Sequence, residues 1–225
     1  MIRYVVTPLR RYAAFAILAL SGQLAHAQVG HDPARTPYSD VRHGVWIVVS
    51  GGQFFGNGGD VGVAPHDGPT FGVKMSFLAN KTVQLNGGFY YGMLGRLLYD
   101  PTQPQGSRFT GPVDDDVIWL DGSINFNLMG GKTWHRFAPY IGSGLGMAIV
   151  SDVPGANFNL GTKFVFSPLI GFRYFVTDAV ALSLENRFNF WNIKYTASFA
   201  QESVSSSEWS VTPWVNIGLA IAWPF

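Results

Sequence analysis

From Trp209 to Phe225 every odd position is apolar: Trp209, Val211, Pro213, Val215, Ile217, Leu219, Ile221, Trp223 and Phe225. The even positions are Ser210, Thr212, Trp214, Asn216, Gly218, Ala220, Ala222 and Pro224. Side chains of a strand alternate between faces, so this stretch is a strand with one oily face and one small or polar face. Strands of soluble sandwiches usually run to about five or six residues. An alternation of 17 residues favours a strand of a membrane barrel.

The period recurs upstream. Phe71, Val73, Met75 and Phe77 alternate with Gly72, Lys74 and Ser76, and Val83, Leu85, Phe89, Tyr91 and Met93 alternate with Gln84, Asn86, Gly88, Tyr90 and Gly92. Stretches 118–128, 141–149, 166–176 and 182–190 continue it, with Asp121, Arg173, Glu185 and Arg187 on their polar faces. The segment from Gly44 to Phe55 completes eight strands, although Val45, Ile47 and Val49 compete there with Trp46, Val48 and Phe54 for the oily face. Connections alternate in length. Short turns fall at 80–82, 130–136 and 177–179, and long loops at 56–69, 95–116, 150–162 and 192–208. Short periplasmic turns and long outer loops are the habit of outer-membrane barrels. Unpaired backbone is costly in lipid, so the strands must close on themselves, and an even number leaves both termini in the periplasm. Aromatics near the strand ends, Phe71, Trp119, Phe164 and Trp209 outside and Phe77, Phe137, Tyr174 and Trp223 inside, are expected as the interfacial girdles.

The first 27 residues read as a secretory leader: Arg10-Arg11, an apolar stretch from Tyr12 to Leu20, and a small-residue cleavage site at Ala25 and Ala27. Nine apolar residues are too few for the roughly 20 of a membrane helix. Residues 28–43 then form a periplasmic leader segment and 44–225 the barrel. Removing the leader leaves 12 bases and 14 acids, which argues against nucleic acid as a partner. Only 13% of side chains are charged, the aromatic share is 15% and cysteine is absent, so disorder, disulfides and thiolate metal sites are excluded.

The chain from about 42 to 225 resembles the small eight-stranded outer-membrane proteins typified by the OmpA transmembrane domain and OmpX. The resemblance rests on Pro139-Tyr140-Ile141-Gly142-Ser143-Gly144-Leu145-Gly146, on the strand, turn and strand from Gly171 to Arg187, and on the terminal strand closing with Trp223 and Phe225. It implies that Trp223 and Phe225 are the assembly signal read by the barrel-insertion machinery. Ala220 stands where that signal usually has Gly, so the match is partial.

Inside such a barrel, Lys74, Asp121, Arg173, Glu185 and Arg187 form a lumen charge network. With Arg173 and Glu185 both facing inward, the hairpin register must set Val176 against Val180, with a three-residue loop at Thr177 to Ala179. Glu185 then lies between Arg173, on the diagonal, and Arg187. After Trp191 the lumen-facing positions become Trp191, Ile193, Tyr195, Ala197 and Phe199, which either cap the mouth or form an exposed apolar patch; a cap is expected.

Other features carry less. The glycine runs at 51–52, 87–88 and 142–146 precede no helix, so they are small lumen-facing residues rather than phosphate cradles. Outer-membrane lipid A enzymes use histidine and serine at the outer leaflet, but only His66 falls on that side and nothing places a serine beside it. The outer loops carry nine acids and three bases, and Asp114, Asp115 and Asp116 could take a divalent cation bridging to lipopolysaccharide. No catalytic, cofactor or metal site is expected. The sequence thus predicts an all-β, monomeric, non-enzymatic outer-membrane barrel in contact with lipid and lipopolysaccharide, with a structural or adhesive role through its loops. A narrow solute or ion pore is the alternative, and a lipid A enzyme a weaker one.

Overall fold

The computed structural model describes residues 36–154, 156–202 and 205–223. The expected cleavage site at Ala25 and Ala27, and Phe225 of the assembly signal, lie outside them. Among the described residues ten strands follow one another: β1 (Tyr38–Asp40), β2 (Val45–Asn57), β3 (His66–Leu78), β4 (Val83–Tyr99), β5 (Phe109–Asn127), β6 (Lys132–Trp134), β7 (Phe137–Val150), β8 (Thr162–Phe175), β9 (Val180–Lys194) and β10 (Ser207–Ala222). The eight long ones pair antiparallel with their neighbours, and β10 returns to β2 from Trp214 opposite Phe54 to Ala222 opposite Trp46. The sheet is therefore a closed eight-stranded barrel. Its first and last strands meet at the end that carries the short turns.

The wall follows the alternation. Leu85, Ile124, Leu145 and Leu219 are exposed on the outside, and Lys74, Arg173 and Arg187 are buried inside. In β2 the odd residues face out, and Trp46, Val48 and Phe54 turn in. Both faces of this strand are apolar because the lumen itself is packed with rings. Asp116 lies on the outer face of β5, near Tyr91, and a carboxylate there marks the edge of the hydrocarbon. Below it Ile118, Leu120, Ile124 and Phe126 face outward over nine residues, close to the about 9–11 that a tilted strand needs to cross.

Three expectations are corrected here. Trp119 does not belong to the outer girdle: it shares the parity of Asp121, points inward and is 3% exposed. The segment 130–136 is more than a turn, because β6 lies within it and pairs with β1 of the expected N-terminal leader segment. His135 and Arg136 adopt positive φ to make the reversal into β7. Much of the expected long loop 95–116 is likewise strand, with β4 and β5 rising above Asp116 to Tyr99 and Phe109.

Proline interrupts the wall in two places. Lacking an N–H, Pro168 sits in a gap of the β8–β9 ladder between Phe166 and Leu169, and the β2–β10 seam stops one residue short of Pro213. Above that seam the link is made by Asp60, whose backbone N–H donates to Glu208 Oε1 at 2.9 Å.

Candidate functional site

The lumen is filled in three layers. At the turn end Trp46, Val48, Ala138, Phe175, Ala181 and Ala220 pack together, with the Trp46 and Phe175 rings edge to face at 5.5 Å. At the loop end Phe54, Tyr90, Trp119, Trp191 and Trp214 meet, with ring centroids 4.8 to 6.1 Å apart. Wall glycines make room for these rings. A Cβ at Gly72 would stand 2.1 Å from the Tyr90 ring, and one at Gly171 would stand 2.6 Å from Tyr140, so each aromatic lies flat against a strand that has no side chain there.

Between the apolar layers lie the charges. Lys74 Nζ donates to Glu185 Oε2 at 2.5 Å, Tyr140 Oη donates to the same oxygen at 2.9 Å, and Arg187 Nε donates to Glu185 Oε1 at 2.7 Å. Arg187 also donates to Asp121 through Nη1 and to Tyr90 Oη at 3.1 Å through Nη2, and its guanidinium lies 5.1 Å from the Tyr90 ring centre. Trp214 Nε1 donates to Thr70 Oγ1 at 2.7 Å, tying the aromatic layer to the opposite wall. Each charge is backed by a hydrogen-bonding partner in a low-dielectric interior, where such bonds are strong and loss of one partner is costly.

Lys74, Asp121, Glu185 and Arg187 thus meet in one cluster, and the hairpin register is as derived, with Gly171 opposite Glu185 and Arg173 opposite Ser183. Arg173 is different. It forms no ion pair with Glu185; Lys74, projecting from β3, takes that oxygen, while Arg173 reaches over to Ser76 Oγ at 3.4 Å. Tyr90 and Tyr140 were missed as members of the cluster. Their parity with Gly88 and Gly142 already placed them inside, but which charge each would meet depends on the curvature of the closed wall.

Above the bilayer the loops form one packed crown. The Tyr99 and Phe199 rings stack at 4.2 Å, Phe158 meets Phe199 at 5.2 Å, and Arg108 Nη1 donates to Glu202 Oε1 at 2.6 Å. Trp191, Ile193, Tyr195 and Phe199 are all buried, so the apolar run after residue 190 is a cap rather than an exposed patch. Tyr195 Oη donates to Glu208 at 2.7 Å; burial raises the pKa of both groups above their ordinary values. The Asp114 to Asp116 run does not converge on a cation. It lies on β5, so Asp115 turns inward, 3.6 Å from Arg96, while its two neighbours turn outward. Burial outweighs Arg96 and lifts the Asp115 carboxyl to about 6. His66 Nε2 lies 2.9 Å from the Gly62 carbonyl, a contact within its own loop. Among the described residues no three His, Asp or Glu side chains are grouped to hold a metal.

No family model and no curated protein matches the chain. Its fold is that of the small outer-membrane β-barrels. Neisserial surface protein A is similar at 15% identity, covering 84% of this chain and 98% of its own, with a TM-score of 0.52. OprG of Pseudomonas aeruginosa is similar at 13% identity, covering 83% and 99%, with a TM-score of 0.55. The outer-membrane enzyme PagL also matches, at 12% identity and a TM-score of 0.38, too distant for its activity to bear on this chain.

Proposed function

We propose that this protein is a closed, non-enzymatic barrel of the bacterial outer membrane, with its short turns and both termini in the periplasm. Its work is structural or adhesive and is done by the packed crown. The observation that carries this reading is the filled lumen, in which two apolar layers enclose a charge layer whose groups bond one another. An eight-stranded barrel has an interior just wide enough for side chains to fill, and here they fill it but for a small space at the turn end.

The crown suits a binding surface because it is held in shape. Strands β4 and β5 stand above Asp116 as a hairpin whose tip carries Tyr99 and Phe109, and Val63, Phe158, Tyr195 and Phe199 from three further loops join Tyr99 in one apolar cluster. A surface ordered beforehand loses less entropy on binding a partner than a mobile one. The testing measurement is conductance of the refolded barrel in a planar bilayer. The expected trace is flat; steady unitary steps would replace this reading with the narrow pore.

A further inference from the structure

Among the described residues Lys74, Arg173 and Arg187 share the lumen with Glu185 and Asp121, which leaves one positive charge in excess. The excess sits at Arg173. Glu185 is occupied by Lys74, Tyr140 and Arg187, and Asp121 by Arg187. Arg173 is 6% exposed, donates to Ser76 Oγ, and lies 5.7 Å from the Tyr140 ring centre and 6.0 Å from that of Trp46. Ring faces attract a cation but do not neutralise it. Its Nε is buried without a hydrogen-bond partner among the described residues.

A second group points to the same place. Gln84, 1% exposed, has neither amide atom bonded among the described residues. Gln84 and Arg173 both line a cavity of about 20 Å³ at the turn end, together with Trp46, Ala138, Tyr140 and Phe175. A buried charge without a counter-charge is strongly unfavourable, and arginine cannot relieve it by losing its proton. Water would supply lone pairs but no charge. We propose that this cavity binds one small monovalent anion, chloride, held by the Arg173 guanidinium and the Gln84 amide N–H. One negative charge balances the lumen, whereas a dianion would overshoot. The site adds to the proposed function without depending on it, since it requires only the closed lumen.

The test uses the mature chain refolded in one detergent and unfolded with urea at constant ionic strength, with chloride replacing gluconate. Chloride should stabilise saturably, lowering the unfolding constant about elevenfold at ten times its dissociation constant, and bromide should act alike. Arg173→Gln should abolish the response, and Gln84→Leu should raise the half-saturating chloride several-fold. Crystals of the wild-type barrel soaked in bromide should show an anomalous peak against the Arg173 guanidinium. Equal behaviour in chloride and gluconate, an undiminished response in Arg173→Gln, or bromide at the outer surface only would each overturn the site. Should Arg173→Gln fail to refold, Gln84→Leu and the bromide map decide it.

Discussion

The pairs Arg187–Glu185 and Arg42–Asp178 join the same chemical groups at nearly the same separation, 2.7 and 3.0 Å. The first has side chains 1% and 5% exposed inside the barrel; the second has side chains 74% and 65% exposed at the turn end. The difference teaches that geometry alone does not set the worth of an ion pair. In water the two ions are already well solvated, and long side chains lose entropy on pairing. In the lumen each ion has left its water behind, so what matters is what remains when one partner is taken away.

The largest effect should therefore come from Glu185→Gln. It strands Lys74 in the interior and leaves Arg187 with Asp121 as its one counter-charge, and should lower stability by about 3 to 5 kcal/mol in denaturant unfolding of the refolded barrel. A loss below about 1 kcal/mol would mean that water reaches the layer and screens it.

An intermediate effect should come from Asp115, which is buried yet lies above the hydrocarbon. Its folded pKa of about 6 exceeds its ordinary 3.8, so the folded state holds a proton that the unfolded state has released. The resulting stability is present below pH 3.8 and is lost as pH rises to about 6, by no more than about 3 kcal/mol. Asp115→Asn should remove that slope, and the difference between wild-type and variant stability from pH 4 to 7 measures it. A difference that does not vary with pH would show that Arg96 compensates the carboxylate fully.

The smallest effect should come from Asp178→Asn, at about 0 to 1 kcal/mol and fading with added salt. A loss comparable to that of Glu185→Gln would erase the contrast between the two pairs.

What could be read from the chain before its structure divides along a similar line. Arg187 and Glu185 are two residues apart on one strand, so their shared face follows from the period of two, and Arg173 follows from the short turn at 177–179. The partnership of Glu185 with Lys74 spans 111 residues and three-dimensional closure, for which no local pattern exists. Trp119 shows a different failure. Its parity with Asp121 turned it inward, yet an aromatic near a strand end also fits an interfacial girdle, and that rule gave the wrong face. In β2 the period itself was silent, because rings inside and aliphatic groups outside make both faces apolar. The acidic run at 114–116 suggested a cation site until strand geometry separated its members.

The seam that joins Trp46 to Ala222 has a consequence for how the molecule can be made. Lys74 meets Glu185, and Trp214 meets Thr70 across 144 residues, only once that seam is shut. A half-wrapped sheet lying in lipid would present an ammonium, two guanidinium groups and two carboxylates to hydrocarbon, each at a cost of several kcal/mol. No stable waypoint of that kind is open to this chain. Its inner face must stay in water until the last strand docks, so insertion and wrapping are one event, and the five charges that the finished wall encloses also forbid it to exist in part.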